Sequence, residues 1–261
     1  LPLLKKKYIV FSLIVIALSL TSCDNNPQTG LIDVHCPSPQ AERFELANGM
    51  TVILSENHNT PFVALEVLVK VGSSLEEEFT SSGISHFVEH MLFKGTKKMP
   101  AGKVEERIRS LGADTNGFTS FDYTGYTITT PKRYLKEVLE LLSDVLANPS
   151  FLKGELEKER QVILKEIDMN YGEPQRRLNQ LFYKNFYTTH PYRYPIIGND
   201  KFLINISRDD ILRFYKRHYV ANNIVLSIAG DIAPDETEDL VKTTLGNLNS
   251  TPVNPIVVPA E

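Results

Sequence analysis

Apolar and polar positions recur with two periods along this chain, and the places where the period changes mark its elements. Residues 43–47 and 50–55 read as two strands joined at Asn48-Gly49, the chemistry of a two-residue hairpin turn. Residues 62–71 form a longer run rich in β-branched side chains, a third strand. An acidic loop over 73–80 follows, and from residue 83 the spacing is helical, with Ser81 or Ser82 placed to cap. A further helix is predicted over 100–111, stopped at Gly112. Residues 113–130 return to strand composition, and helical stretches follow at 132–147, 155–168 and 175–186. In the first of these, Leu135, Val138, Leu139, Leu142, Val145 and Leu146 fall on one side. A helix over 208–218, an apolar strand over 223–231 and a helix over 234–245 close the pattern. Early strands, helices in pairs and a late returning strand predict an α+β fold, a mixed and largely antiparallel sheet with helices packed on one face.

Both ends depart from that pattern. Lys5, Lys6 and Lys7 precede a short apolar run at 8–20, and Leu20-Thr21-Ser22-Cys23 has the form of a lipobox. The expectation is a lipoprotein signal peptide at 1–22, lipidation at Cys23 and a flexible polar tether over 23–40. An ordinary signal or an uncleaved anchor are the alternatives. A lipidated Cys23 places the chain outside the cytoplasm, anchored to a bacterial membrane, on the periplasmic side where there are two membranes. It also leaves Cys36 as a single thiol, so no disulfide framework is expected. At the other end the Pro-rich stretch 252–259 looks like an interdomain linker, which sets the globular domain at 41–250 and the start of a linker at 251–261.

Composition narrows the function classes. About 220 residues remain after the signal and tether are removed, ample for one large core or two small ones. A formal charge of −4 gives no electrostatic case for nucleic acid, and there is no Gly-rich phosphate loop.

The chemistry concentrates at His86, Glu89 and His90, an H-x-x-E-H pattern inside the apolar helical run. Residues four apart on a helix stack on one face, so His86 and His90 present two imidazoles together, the first two ligands a zinc ion needs. Glu89 stands at the edge of that face, able to reach a water there without being a ligand. The opposing reading is a buried histidine satisfied by hydrogen bonds. Downstream, Glu159 and Glu166 are seven apart on a strong predicted helix with Leu156, Val162, Ile163 and Ile167 at helical spacing, so they share a face about 20° out of line. Glutamates on a charged helix are ordinarily solvated. Here the pair borders the apolar run Val162-Ile163-Leu164. His58, His190 and His218 read as structural or surface residues.

Taken together, these segments resemble the pitrilysin, insulysin and mitochondrial processing peptidase family of zinc endopeptidases. The resemblance rests on Gly83-x-x-His86-x-x-Glu89-His90-Met91-Leu92-Phe93-Lys94-Gly95-Thr96 and on Glu159-Arg160-x-Val162-Ile163-Leu164-x-Glu166. It rests also on Leu111-Gly112-Ala113-x-x-Asn116-Gly117-Phe118-Thr119, and on His190-Pro191-Tyr192 with Pro195 and Gly198. It covers roughly residues 41 to 250 in the family's order and spacing, and Glu166 lies at the separation from His90 that the family uses for its third ligand.

The resemblance implies zinc held by His86, His90 and Glu166, zinc-bound water as nucleophile, and Glu89 as general base. Glu159 corresponds to a carboxylate that orients a ligand imidazole. The strand with Asn116 and Gly117 corresponds to the edge that pairs with an extended peptide or unfolded polypeptide substrate, although the family usually has Ala where Gly117 stands. Members generally join this kind of domain to a second, homologous domain or subunit, which contributes an Arg and a Tyr to substrate binding. The alternatives are a non-catalytic substrate-binding or scaffolding subunit of a processing-peptidase-like complex, and a protein whose zinc is structural. The first typically lacks one or more of the site residues. The second would need a fourth protein ligand, which no Cys or His here suggests.

Overall fold

The computed structural model describes residues 41–261, so the expected signal peptide, the expected lipidation at Cys23, the expected tether and Cys36 lie outside the described residues. Six strands form one sheet: β1 (Ala41–Glu45), β2 (Thr51–Glu56), β3 (Phe62–Val69), β4 (Asp114–Thr119), β5 (Thr124–Pro131) and β6 (Ile224–Gly230). Their order is β1-β2-β6-β3-β5-β4, with β2 and β6 parallel and every other pair antiparallel. Eight helices accompany them among the described residues: α1 (Ile84–Leu92), α2 (Lys103–Ser110), α3 (Leu135–Ala147), α4 (Lys153–Gly172), α5 (Pro174–Phe186), α6 (Asp200–Leu203), α7 (Arg208–His218) and α8 (Pro234–Leu245). The mixed, mostly antiparallel sheet with helices is the α+β architecture expected from the sequence.

One face of the sheet carries the core. Val52, Leu226, Val67 and Tyr126 are register partners across four adjacent strands, and all four are buried. Leu54, Ile228, Leu65 and Ile128 form a second buried row beside them. Cross-strand partners point to the same face, so these rows make a continuous apolar floor. The opposite face has Glu66, Ser227 and Thr127 as partners, all half-buried. Against the floor pack Phe87, Val88, Met91 and Leu92 of α1 and Val138, Leu139, Leu142 and Val145 of α3.

Several expected boundaries move for identifiable reasons. The first hairpin closes over residues 46–50, where the Leu46 amide donates to the Met50 carbonyl at 2.9 Å, instead of over Asn48-Gly49 alone. The Asn48 side chain serves a distant segment, its amide donating to the carbonyls of Leu245 (2.9 Å) and Gly246 (3.1 Å) at the end of α8. The carboxylate-bearing helix α4 runs on to Gly172, farther at both ends than 155–168, and α5 starts at Pro174, which is tolerated in a first helical turn. α7 opens with a capping box, Ser207 bonding the amide of Asp210 and Asp210 bonding back. α6 carried no expectation from the sequence.

Candidate metal centre

Helix α1 is amphipathic. Ile84, Phe87, Val88, Met91 and Leu92 fill the core, which leaves His86, Glu89 and His90 half-buried on the face turned from it. The start of α1 is fixed by residues on three separate segments. Gly83 and Gly198 lie back to back with positive φ (74° and 84°), and a Cβ on either would strike the other's neighbouring backbone. That close approach is what glycine allows at both positions. Ser82 accepts from the amide of Ile84 at 3.3 Å, so one of the two expected capping serines acts there.

A stronger cap comes from a residue that the sequence does not single out. Glu76, only 1 % exposed, accepts from the amides of Gly83 (3.3 Å) and Ser85 (3.0 Å) with its two oxygens. Burial pushes its carboxyl up to about 8, against the pull of those amides. Nothing in the acidic run at 73–80 distinguishes this glutamate from its neighbours, because the distinction arises only when the loop folds under α1.

α4 brings the second half of the site. It is anchored by Leu156, Ile163 and Ile167 in the core, and Arg160 donates to the carbonyls of Leu203 and Ile206, the latter at 2.7 Å. From this rod Glu166 Oε2 reaches 3.9 Å from His86 Nε2 and 3.6 Å from His90 Nε2. One donor atom from each of the three lies within 4.8 Å of the others, the single such group among the described residues. Donors bound tetrahedrally at zinc distances stand about 3.4 Å apart, so the observed separations suit a zinc ion with little adjustment. Burial, and then the neighbouring His90, drive the His86 pKa down to about 3, which keeps its ring neutral and a lone pair available. The donor set of two imidazoles and a carboxylate fits zinc and leaves a fourth position without a protein ligand.

Glu159, two turns before Glu166 and buried, places Oε2 3.1 Å from His90 Nδ1. Its other oxygen meets Lys94 Nζ at 3.0 Å. A carboxylate on the far nitrogen of an imidazole fixes the ring's tautomer and its angle. The sequence motif contains Lys94 without assigning it a role; its spacing of four from His90 is the signal that could have done so.

Glu89 is the remaining acid. Its Oε2 accepts from Thr119 Oγ1 at 2.8 Å and stands 4.0 Å from His86 Nε2. Burial holds its carboxyl above the usual range, with the Thr119 bond acting in the opposite sense. A half-buried carboxylate with a raised pKa beside the donor cluster is suited to accepting a proton.

The cluster opens into a cleft of about 740 Å³ whose lining includes Gly117, Phe118, Phe121, Tyr183 and Tyr194. β4 is the outermost strand of the sheet and forms one rim, as expected for the segment with Asn116 and Gly117. The two residues differ in placement. Gly117 meets Glu89, while the exposed Asn116 turns its Oδ1 back onto the Gly117 amide at 3.0 Å. His58 is bonded to Asp231 and Glu56, His190 accepts from the Tyr192 amide, and His218 packs at a tilt against Phe214; none joins the cluster.

Comparison with known proteins places this geometry in context. Residues 51–200 match the family model described as Insulinase (Peptidase family M16), and residues 205–261 match the one described as Peptidase M16 inactive domain. The chain is 35% identical over 201 residues to an uncharacterized zinc protease of Rickettsia bellii, covering 76% of this chain and 47% of that protein. It is 32% identical over 204 residues to the mitochondrial cytochrome b-c1 complex subunit 1 of Rattus norvegicus, covering 78% and 42% respectively. A crystal structure of a protease from Helicobacter pylori superposes with a TM-score of 0.79 at 30% identity, over 85% of this chain and 54% of that one. The chain thus spans about half the length of the curated relatives it matches.

Proposed function

Because the chain belongs to the insulinase family, peptidase family M16, we propose that it carries the metal centre of a zinc-dependent endopeptidase acting on peptides or unfolded polypeptides. The observation that carries this reading is the convergence of His86, His90 and Glu166 from two helices, with the Glu89 carboxylate beside them but outside that donor set. Zinc bound there would polarise a substrate carbonyl and acidify a water. Glu89 would take the proton from the attacking water and deliver it to the departing nitrogen as the C–N bond breaks, which returns Glu89 to its carboxylate form. Glu159 holds His90 at the angle its Nε2 needs. The exposed edge of β4 receives an extended substrate as an added strand, a mode in which main-chain bonds align the chain and side chains remain free to vary.

A second, homologous domain or subunit would complete the cleft, a reading supported by the half-length match to the relatives and by the separate family match over 205–261. The basic and apolar run before Cys23 supports an extracytoplasmic, lipid-anchored location. Membrane-fraction partitioning of the chain against Cys23→Ser tests it, and equal partitioning would remove the anchor.

The likeness to a cytochrome b-c1 complex subunit favours one rival, a non-catalytic subunit. Against it stands the complete set of donors and base, which a scaffold has no need to hold in register. Zinc content of the chain lacking residues 1–23 decides between the two. One zinc per chain, lost in His90→Ala, supports the peptidase; a folded chain that takes up no zinc supports the scaffold.

A further inference from the structure

Beyond the donor cluster the cleft runs on into a side groove, and Gln180, Arg193, Tyr194 and Pro195 line both. The groove, of about 240 Å³, takes Tyr171 from α4, Arg177, Leu181 and Lys184 from α5 and Phe202 from α6. Arg177, Leu181 and Lys184 are four and three residues apart, so α5 turns them to one side. Tyr171, Leu181 and Phe202 are exposed, which gives the groove an apolar surface between its cations. Charge sets it apart from the rest of the molecule. The chain has 32 acidic and 28 basic residues, yet no acid lines the groove and α5 carries Arg176, Arg177 and Lys184 without one. Arg176 pairs with Glu173 at 3.2 Å, whereas Arg177, Lys184 and Arg193 form no ion pair among the described residues. The Arg177 guanidinium lies over the Tyr171 ring at 5.1 Å, and Arg193 donates to the Thr188 carbonyl. In the adjoining cleft the lining acids are Glu89 and Glu166, both at the donor cluster. Cations without a counter-charge beside apolar side chains suit a ligand that brings carboxylates and apolar groups together.

We propose that this groove binds an acidic polypeptide segment with apolar side chains, the part of a substrate that flanks the stretch lying over the metal donors. The substrate role rests on the peptidase function proposed above; the affinity of the groove needs no metal. Continuity with the cleft favours a polypeptide over an anionic membrane surface. The period of α5 does so too. Its other exposed apolar residues, Leu178, Phe182 and Phe186, lie roughly 150° round the helix from Arg177 and Lys184, so one flat surface would not meet both sets.

The test follows the fluorescence anisotropy of a short dye-labelled peptide in which glutamate alternates with leucine, mixed with the full chain in EDTA so that nothing is cleaved. The same peptide with lysine in place of glutamate is the control. The glutamate peptide is expected to bind at least about tenfold more tightly than the control and to lose that preference in high salt. The double variant Arg177→Glu and Lys184→Glu is expected to weaken it by about tenfold, with little change in thermal midpoint because both side chains are exposed. Arg177→Gln with Lys184→Gln, which removes the attraction without adding repulsion, is expected to weaken it by about threefold. Equal affinity for the two peptides, or binding unchanged in both double variants, overturns the groove. So does an absence of peptide binding, whether the double variants then alter the oligomeric mass, which would assign the groove to a second copy, or abolish capture by phosphatidylserine vesicles, which would assign it to a membrane. Zinc content is measured on the same chain before EDTA is added. A chain that takes up zinc without telling the peptides apart loses the groove alone; one that takes up none yet discriminates supports the groove as a peptide site and loses the peptidase function.

Discussion

Helices α4 and α5 follow each other in the chain and border the same cleft, yet they are held in opposite ways. α4 sinks Leu156, Ile163 and Ile167 into the core and ties Arg160 to the carbonyls of Leu203 and Ile206. α5 has no buried residue. It lends Asn179, Gln180 and Tyr183 to the cleft, while Leu178, Phe182 and Phe186, one stripe at i, i+4, i+8, remain 60%, 57% and 60% exposed. Isolated helices of this length are marginal in water, so α5 leans on its neighbours in a way α4 does not. The contrast separates two duties. Ligand geometry demands placement within fractions of an ångström, and Glu166 sits on the anchored helix; the wall that, on the proposed function, would admit chains of varied side chains sits on the less buried one.

That division can be broken or sharpened in four steps. The largest effect belongs to the metal donors: Glu166→Ala is expected to weaken zinc by more than about 100-fold, exceeding what residues around the ligands contribute. Metal analysis after dialysis checks it, and unchanged zinc would remove α4 from the site. Glu89→Gln should keep zinc and lose about 10²–10⁴ of peptide turnover, the range general bases supply; turnover within a few fold of the parent would end its role as base. Arg160→Ala comes next. It leaves two buried carbonyls without their charged donor, at a cost of about 2–3 kcal/mol in urea unfolding, with a smaller loss of zinc affinity as Glu166 loosens. On α5, Phe182→Ser should shift stability by no more than about 0.5 kcal/mol and leave zinc untouched. A large destabilisation there would show that the exposed stripe is already covered.

The start of α1 gives a pH-dependent version of the same comparison. Glu76 titrates near 8 when folded and near its ordinary value when unfolded. Between those values the folded chain holds a proton that the unfolded chain has released, so stability falls as pH rises from about 4.5 to about 8. Below that window the group contributes fully. Glu76→Gln should flatten this slope in unfolding measurements made across the window, and an undiminished slope would assign it to other groups.

Much of the site was legible because the ligand pattern is local. His86 and His90 are one helical turn apart, and Glu159 and Glu166 two, so each pair is fixed by its own helix before any tertiary contact forms. Only the docking of α1 against α4 was left to the fold, and the apolar positions on both helices pointed to it. Ile163 is indeed buried, while Val162 in the same run is 41% exposed, which shows that the run itself was a coarser guide than its spacing. Thr119 lies within the edge-strand motif, and strand alternation from Gly117 puts both on one face, a signal that the motif alone does not convey. Glu76 could not have been read. Its partners are backbone amides nearby in sequence, and main-chain groups leave no trace in a residue pattern. Asn48 is similar, since a turn signal and a helix-end donor are written with the same letter.

The place of β6 in the sheet has a consequence for how this molecule comes into being. All the metal donors lie between residues 86 and 166, within the stretch 51–200 that matches the peptidase family. Yet β6, residues 224–230, is inserted between β2 and β3 and pairs with both. Until it arrives, two long apolar strands have open edges, which are sites for pairing with other chains. A ribosome therefore releases every proposed zinc donor well before the strand that closes the sheet beneath them, and folding waits on contacts of high sequence separation. A minimal fragment cut at residue 200 would carry the whole donor set and aggregate rather than bind metal.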